Sequence, residues 1–463
     1  MFELTAPETE RSLFLHCPAR SNAIAFQTDR KRSVTTSCGR ASPVSGRISG
    51  VAEFLAWSRG FQVKWFNVIM KRFIHRAQNI LSPGDHMSLI HYLTRIHFGA
   101  GLLDDALRQE CGRLGISRPL LVTDKGLMAT GLPDRVTGLL AADLTSVTFD
   151  ETPQNPTEAA AAAGLRLYTE RNCNGLIALG GGSAIDLAKA IALTSGHTGA
   201  LADYAVINGG VAKITDCLPP LIAIPTTAGT GSEVGRGAII VLNDHRKLGF
   251  LSPYLIPDAA ICDPQLTLSL PPLLTAATGM DALTHCVETY IATAFNPPAD
   301  GIAIDGLKRA ASSIRQAVED GTEMEPRTQM MAAAMNGALA FQKGLGAVHA
   351  MSHALGGLPG RTLHHGMLNA VLLPHVLRFN EPEVGHRYAE LKQAMALPAS
   401  ADLANSILQL TADLGLPTTL SQMDVTRADL EKAAPLAGQD HTNATNPRKA
   451  ATADYAMLLA EAF

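Results

Sequence analysis

The stretch GAVHAMSHALGG places His349 and His353 four residues apart in a run of small and apolar side chains. GMDALTHCVE places Asp281 and His285 at the same interval, and GRTLHHGMLNA sets His364 and His365 beside a glycine. Residues four apart on a helix share one face, so the first two stretches each present a pair of ionisable groups in one direction. That spacing fits a metal site, a proton-handling site, or both. Taken singly, each pair also reads as helix capping or as core polar residues, and it is their concentration in one half of the chain that argues for a site. One carboxylate with three imidazoles is a hard-to-borderline donor set that suits Fe(II) or Zn(II).

A second kind of chemistry is written in GLIALGGGSAIDLAKA, residues 175 to 190, which reads as a strand, three glycines, Ser183 and a helix. Glycines let backbone N–H groups approach an anion closely, and a helix N-terminus adds unpaired donors and a favourable dipole. A diphosphate fits there, although the run is not G-x-G-x-x-G. PTTAGTGSE, residues 225 to 233, is another small-residue turn after another strand, with Thr226, Thr227, Thr230 and Ser232 as hydroxyl donors. Asp124 ends the strand-like LLVTD. A carboxylate there either accepts from both ribose hydroxyls, favouring NAD over NADP, or caps the helix that follows.

These groups need elements to hold them. From about residue 118, RPLLVTD, TSVTFDE, GLIALG, PPLIAIP and AAICD read as buried strands, with helical apolar spacing in the segments between the first three. Alternating strands and helices imply a parallel sheet with crossovers. After PQLTLSLPP the strand signal ends, and the remainder reads as helices separated by Pro, Gly or Asn breaks. The expected fold is an α/β N-terminal dinucleotide-binding domain with a parallel sheet plus an all-α C-terminal metal-binding domain. Their boundary falls near residue 270, and ligands are expected in the cleft between them.

The bulk numbers agree with two such cores: 463 residues, 46% hydrophobic and 17% charged. A net charge of −4 gives no basic field for nucleic acid, and no apolar run reaches the roughly 18 residues of a membrane span. Seven scattered cysteines, none in a C-x-x-C arrangement, suggest a reducing compartment, the cytoplasm. The first 86 residues differ, with 12 Lys and Arg against 6 Asp and Glu, both tryptophans (Trp57 and Trp65) and no sustained period. A transit peptide is one reading. The favoured one is a disordered or mis-called extension with translation starting at Met87, because Glu3, Glu8 and Glu10 spoil a transit signature. The division is then 1–86, 87–270 and 271–463.

Together, GGGSAIDLAKA, PTTAGTGSEV, TAATGMDALTHCVE, GAVHAMSHALGG and HHGMLNAVLLPHV resemble the iron-dependent (group III) alcohol dehydrogenases, in order from about residue 89 to the C-terminus. The resemblance implies that Asp281, His285, His349 and His365 are metal ligands, with His365 chosen over His364 by its HG-x-x-NA context. It implies that His353 is not a ligand but the proton-relay residue beside the metal. It puts Gly181, Gly182, Ser183, Thr226, Thr227 and Lys247 around an NAD cofactor, with Asn155 and Asp124 on the adenosine side. The implied metal is Fe(II), or Zn(II), and the implied assembly a homo-oligomer, a dimer.

Within that family the strongest resemblance is to members acting on a hydroxy acid, which implies interconversion of 4-hydroxybutyrate and succinate semialdehyde. The alternative is another small alcohol, diol or oxo acid. A carboxylate-bearing substrate needs a cation about a carbon chain from the metal. GSEVGRGA introduces Arg236 and FQKGLG introduces Lys343, with Arg361 before His365. Arg suits a bidentate carboxylate clamp, and each of the three also reads as an ordinary solvated charge.

Overall fold

A computed structural model describes residues 94–140 and 146–463. The 1–86 extension and the start at Met87 lie outside the described residues. The first part of the described chain alternates strands and helices: β1 (Arg95–Phe98), α1 (Leu103–Leu114), β2 (Pro119–Val122), α2 (Lys125–Met128), α3 (Leu132–Leu139), β3 (Val147–Phe149), α4 (Glu158–Glu170), β4 (Gly175–Gly180) and α5 (Gly182–Gly196). It continues through β5 (Leu221–Pro225), β6 (Gly237–Val241), β7 (Lys247–Leu251) and β8 (Ala259–Cys262).

Six of these strands form one sheet in the order β1-β8-β5-β4-β2-β3, and every ladder in it is parallel. Every residue of β2, β4, β5 and β8 is buried. Helices cover both faces of such a sheet, so its strands read as continuous apolar runs rather than alternating ones. β3 comes between β2 and β4 in sequence, yet β2 and β4 are neighbours in the sheet. The winding reverses there, and their carboxyl ends carry Asp124 and the glycine turn. Open α/β sheets bind ligands at such a switch point.

Two parts of this architecture depart from the sequence pattern. β1 adds a parallel edge strand beside β8, where only a compact-looking start was legible. β6 and β7 pair antiparallel as a separate hairpin, with His245 in its turn at φ 67°. GAIIV does alternate, being half-buried and buried in turn, but it follows so closely on the PTTAGTGSE turn that it merges with it in sequence. The hairpin matters because it carries Lys247.

After β8 the described chain contains no further strand. It forms α6 (Pro272–Ile291), α7 (Pro297–Glu319), α8 (Met324–Ala340), α9 (Ala347–Gly356), α10 (His365–Val384), α11 (Tyr388–Ala394), α12 (Leu403–Asp413), α13 (Arg427–Gln439) and α14 (Thr452–Glu461). α6 is buried at every residue from Thr275 to Ile291. A helix buried all round must be lined by small or apolar side chains. α6 meets that need with Ala, Gly, Thr and Met, so its few ionisable residues stand out as placed for a purpose.

Candidate metal and dinucleotide site

α6 presents Asp281, His285 and Glu288 at i, i+4 and i+7, a single face. α9 brings His349 to that face and the first turn of α10 brings His365. The Nε2 atoms of His285, His349 and His365 lie 3.8, 3.8 and 3.6 Å from Asp281 Oδ1. Asp281, His285 and His349 thus each place a donor atom within 4.8 Å of the other two, a spacing that one divalent ion can bridge, and His365 Nε2 joins them through its approach to Asp281 Oδ1. His349 Nδ1 donates to Glu288 Oε2 at 2.6 Å, which turns its Nε2 toward Asp281 and the centre. Glu288 Oε1 accepts from Val348 N at 2.8 Å, so one carboxylate orients the ring and caps the helix that carries it.

Two glycines make this approach possible. A Cβ on Gly366 would stand 2.1 Å from Ala277 O, so only glycine lets α10 lie against α6 and deliver His365. A Cβ on Gly337 would meet His285 Cβ at 3.0 Å, so glycine also lets α8 back that ligand closely.

Electrostatics favour a cation here. Burial is the largest influence on Asp281 and raises its pKa, but His285, His365 and His349 outweigh it and hold the carboxyl well below the usual range. Burial drives His285 down to about 4 and His365 well below its ordinary value. Burial also pulls on His349, yet Asp281 and Glu288 overcome it and push the ring up to about 9. Two buried carboxylates therefore create a field that asks for positive charge, while two of the three imidazoles stay neutral as ligands must be. The donor set fits a divalent ion.

His364 behaves differently from His365. It is the N-cap residue of α10, burial lowers its pKa, and it does not line the cavity that the four convergent residues share. His353 lies one turn beyond His349, its ring stacked on that of His365 at 5.5 Å and on that of His441 at 6.0 Å. Its Nδ1 donates to Asp440 Oδ2 at 3.0 Å. Glu288, Asn369, Asp440 and His441 belong to this region without having stood out in the sequence. Glu288 continues the Asp281–His285 face and was findable; Asp440 and His441 approach His353 only through the fold.

The cavity, about 360 Å³, is bounded by both domains and reaches from Gly182 and Ser183 to Asp281, His285, His349, His353 and His365. At its α/β end, Gly181 caps α5 without a side-chain hydrogen bond, leaving the first amides of the helix to a ligand. Ser183 Oγ donates to Gln154 O at 2.5 Å, and Lys247 Nζ donates to Asn155 Oδ1 at 2.9 Å. Burial lowers the Lys247 ammonium to about 8, against the pull of Asp186, Asp281 and Asp440. A Cβ on Gly181 would touch Thr227 at 3.3 Å and one on Gly182 would strike Thr230 at 2.6 Å, so the two small-residue turns pack directly on each other. Thr226 is buried behind them. Asp124 Oδ1 accepts from Leu127 N at 3.0 Å, so capping of α2 occupies one of its oxygens.

The three cations separate cleanly. Arg236 lines the cavity and donates to Gln342 O at 3.2 Å. Lys343 turns its ammonium away, onto Asp300 Oδ1 at 2.5 Å and Tyr290 O at 2.9 Å. Arg361 donates to Asp429 Oδ2 at 2.6 Å and Asp424 O at 2.9 Å and does not line the cavity. Lys343 and Arg361 thus both have their charges engaged within the protein, Lys343 at the cavity wall and Arg361 outside it, whereas Arg236 has no carboxylate partner among the described residues.

A dinucleotide-type sheet joined across a cleft to a helical domain with a carboxylate and three imidazoles defines a metal-dependent oxidoreductase. Comparison with known proteins gives the family. The description "Iron-containing alcohol dehydrogenase" matches residues 94–264 and that of the "Fe-containing alcohol dehydrogenase family, C-terminal" matches 275–463. The chain belongs to the iron-containing alcohol dehydrogenase family. It is 55% identical over 380 residues to a 4-hydroxybutyrate dehydrogenase of Cupriavidus necator, covering 81% of this chain and 99% of that one. The crystal structure of a 1,3-propanediol oxidoreductase superposes with a TM-score of 0.76 at 34% identity, over 81% of this chain and 100% of the other. The sulfoacetaldehyde reductase of Bifidobacterium kashiwanohense, solved with NAD+, does so with a TM-score of 0.72 at 26% identity, over 81% and 99%.

Proposed function

We propose that the chain interconverts 4-hydroxybutyrate and succinate semialdehyde with NAD. Asp281, His285, His349 and His365 would hold a divalent ion, iron or zinc, and Arg236 would hold the substrate carboxylate. The carrying observation is Arg236 itself: a half-buried guanidinium in the same cavity as the ligand set, with no carboxylate partner among the described residues. Burial already lowers its pKa, so an anion that offers two oxygens gains both charge and hydrogen bonding there. The identity to the Cupriavidus necator enzyme supports the same substrate class.

When bound, the ion supplies Lewis-acid stabilisation of the substrate oxygen and NAD supplies the hydride acceptor. The protein's own part is to bind, orient and move a proton. Gly181, Gly182 and Ser183 offer helix-end amides to the diphosphate, and Thr226 and Thr227 support that turn. Asn155 and Lys247 form the cavity wall beside it. The oxygen of Asp124 not used in capping would face the ribose hydroxyls and disfavour a 2′-phosphate, so NAD is preferred over NADP. Phe341, edge-on to His285 at 5.2 Å, excludes water from one side of the reacting centre. With His353 Nδ1 engaged by Asp440, Nε2 is the atom left to take the hydroxyl proton toward solvent.

A cytoplasmic setting and a homo-oligomeric assembly complete the proposal. No disulfide joins Cys111, Cys173, Cys262 or Cys286, and no helix among the described residues is long and apolar enough to cross a membrane. The test is NADH formation by the metal-loaded enzyme on 4-hydroxybutyrate, 1-butanol and 1,3-propanediol. Higher kcat/KM on the hydroxy acid is expected; faster turnover of either neutral alcohol would overturn the assignment.

A further inference from the structure

Asn369 is completely buried on α10, four residues after His365 and therefore on the same face. Its Nδ2 lies 2.8 Å from Asp281 Oδ1, 3.3 Å from His349 Nε2 and 3.2 Å from His365 Nε2. Its Oδ1 is buried with no hydrogen-bond partner among the described residues. The sense of the amide follows from its shortest contact: the Asp281 carboxylate oxygen presents lone pairs, which only an N–H can meet. A leucine would fill the same volume without stranding a carbonyl oxygen. A stranded buried acceptor costs stability, so the donor end must return something for it.

We propose that Asn369 is a positioning residue of the metal centre, holding Asp281 through its amide N–H and covering the face formed by Asp281, His349 and His365. The inference rests on the reading of those residues as the ion's holders. Relative distances decide which contact matters. The carboxylate bond is short and charge-assisted, whereas the imidazole contacts are longer. An ion that takes the imidazole lone pairs leaves the bond to Asp281 Oδ1 in place, because that oxygen has a further lone pair. The amide thereby fixes the ligand's orientation and ties α10 to α6 at the point where the ion joins them.

The experiment uses full-length protein stripped with a chelator and titrated with Zn2+ against a chromophoric competitor, with Co2+ visible spectra as a second readout. Asn369→Ala and the near-isosteric Asn369→Leu are compared with wild type and with Asp281→Ala, and thermal unfolding of each metal-free protein reports on packing. Both Asn369 variants are expected to bind Zn2+ about 10- to 100-fold more weakly and to alter the Co2+ bands. Wild-type affinity and bands in Asn369→Leu, whatever its unfolding temperature, would overturn the proposal and leave Asn369 as core filling. Wild-type affinity in Asp281→Ala would instead overturn the metal assignment, and this proposal with it.

Discussion

Single side chains divide the work in a way that kinetics can separate. Replacing Arg236 by Leu is expected to raise KM for 4-hydroxybutyrate by roughly 10- to 150-fold, the equivalent of about 1.5–3 kcal/mol for a hydrogen bond to a charged group. Steady-state rates on 1-butanol should hardly move, since the ligand set and His353 are untouched; equal losses on both substrates would make Arg236 a structural residue. His353→Ala should lower kcat by about 100-fold or more while metal content stays stoichiometric by elemental analysis. Loss of the ion would put His353 among the ligands. The helical pairs were readable because local spacing encodes a shared face. What was not readable depends on distant partners. Asp440 meets His353 across 87 positions, so no local period reveals it; Glu288 shares the Asp281–His285 period, but its pairing with His349, 61 positions away, is set only by the fold. Arg361 and Lys343 looked available because the carboxylates that engage them, Asp429 and Asp300, lie 68 and 43 positions away.

At the level of elements, the site depends on how closely two pairs of segments can approach. Gly366→Ala would drive a methyl group into Ala277 O and push the first turn of α10 off α6, displacing His365. The expected result is a folded protein, destabilised by about 1–3 kcal/mol in urea, that binds Zn2+ far more weakly; wild-type affinity would show that α10 can shift freely. The second junction is Lys189 on α5, completely buried, whose Nζ donates to Ser232 O and Oγ, Gly235 O and Gly237 O at 2.7, 2.9, 2.8 and 2.7 Å. Carbonyls on both sides of Arg236 thus turn inward to one ammonium, and the helix that begins with the glycine turn holds the loop bearing Arg236. Lys189→Met strands those acceptors and should cost more than about 3 kcal/mol, read from denaturant midpoints. A loss below 1 kcal/mol would mean the loop is fixed by other contacts. The parallel strands were legible as apolar runs and the helices by their period. The β6–β7 hairpin was not, because its alternation is short and merges with the turn before it, and β1 is a four-residue edge strand with little to distinguish it.

For the molecule as a whole, the ion and the fold share a centre. Removing the metal with a chelator should lower the unfolding temperature, and restoring it at 100 times its Kd should return about 2.7 kcal/mol of stability, by calorimetry. An unfolding temperature indifferent to metal would show that the centre is formed without it. The exposures of the ligand side chains add a kinetic dimension. Those of Asp281, His285 and His349 are 3%, 5% and 2% exposed, whereas that of His365 is 24% exposed toward the cavity. Escape of the ion therefore has one door, and the same cavity is where dinucleotide and hydroxy acid would lie. Bound ligands should then act as a plug: with NAD and 4-hydroxybutyrate analogue present, the half-life of the ion against a chelator should lengthen, even where its equilibrium affinity changes little. On this view a working enzyme keeps its ion longer than a resting one, and idle protein is the form most exposed to being emptied.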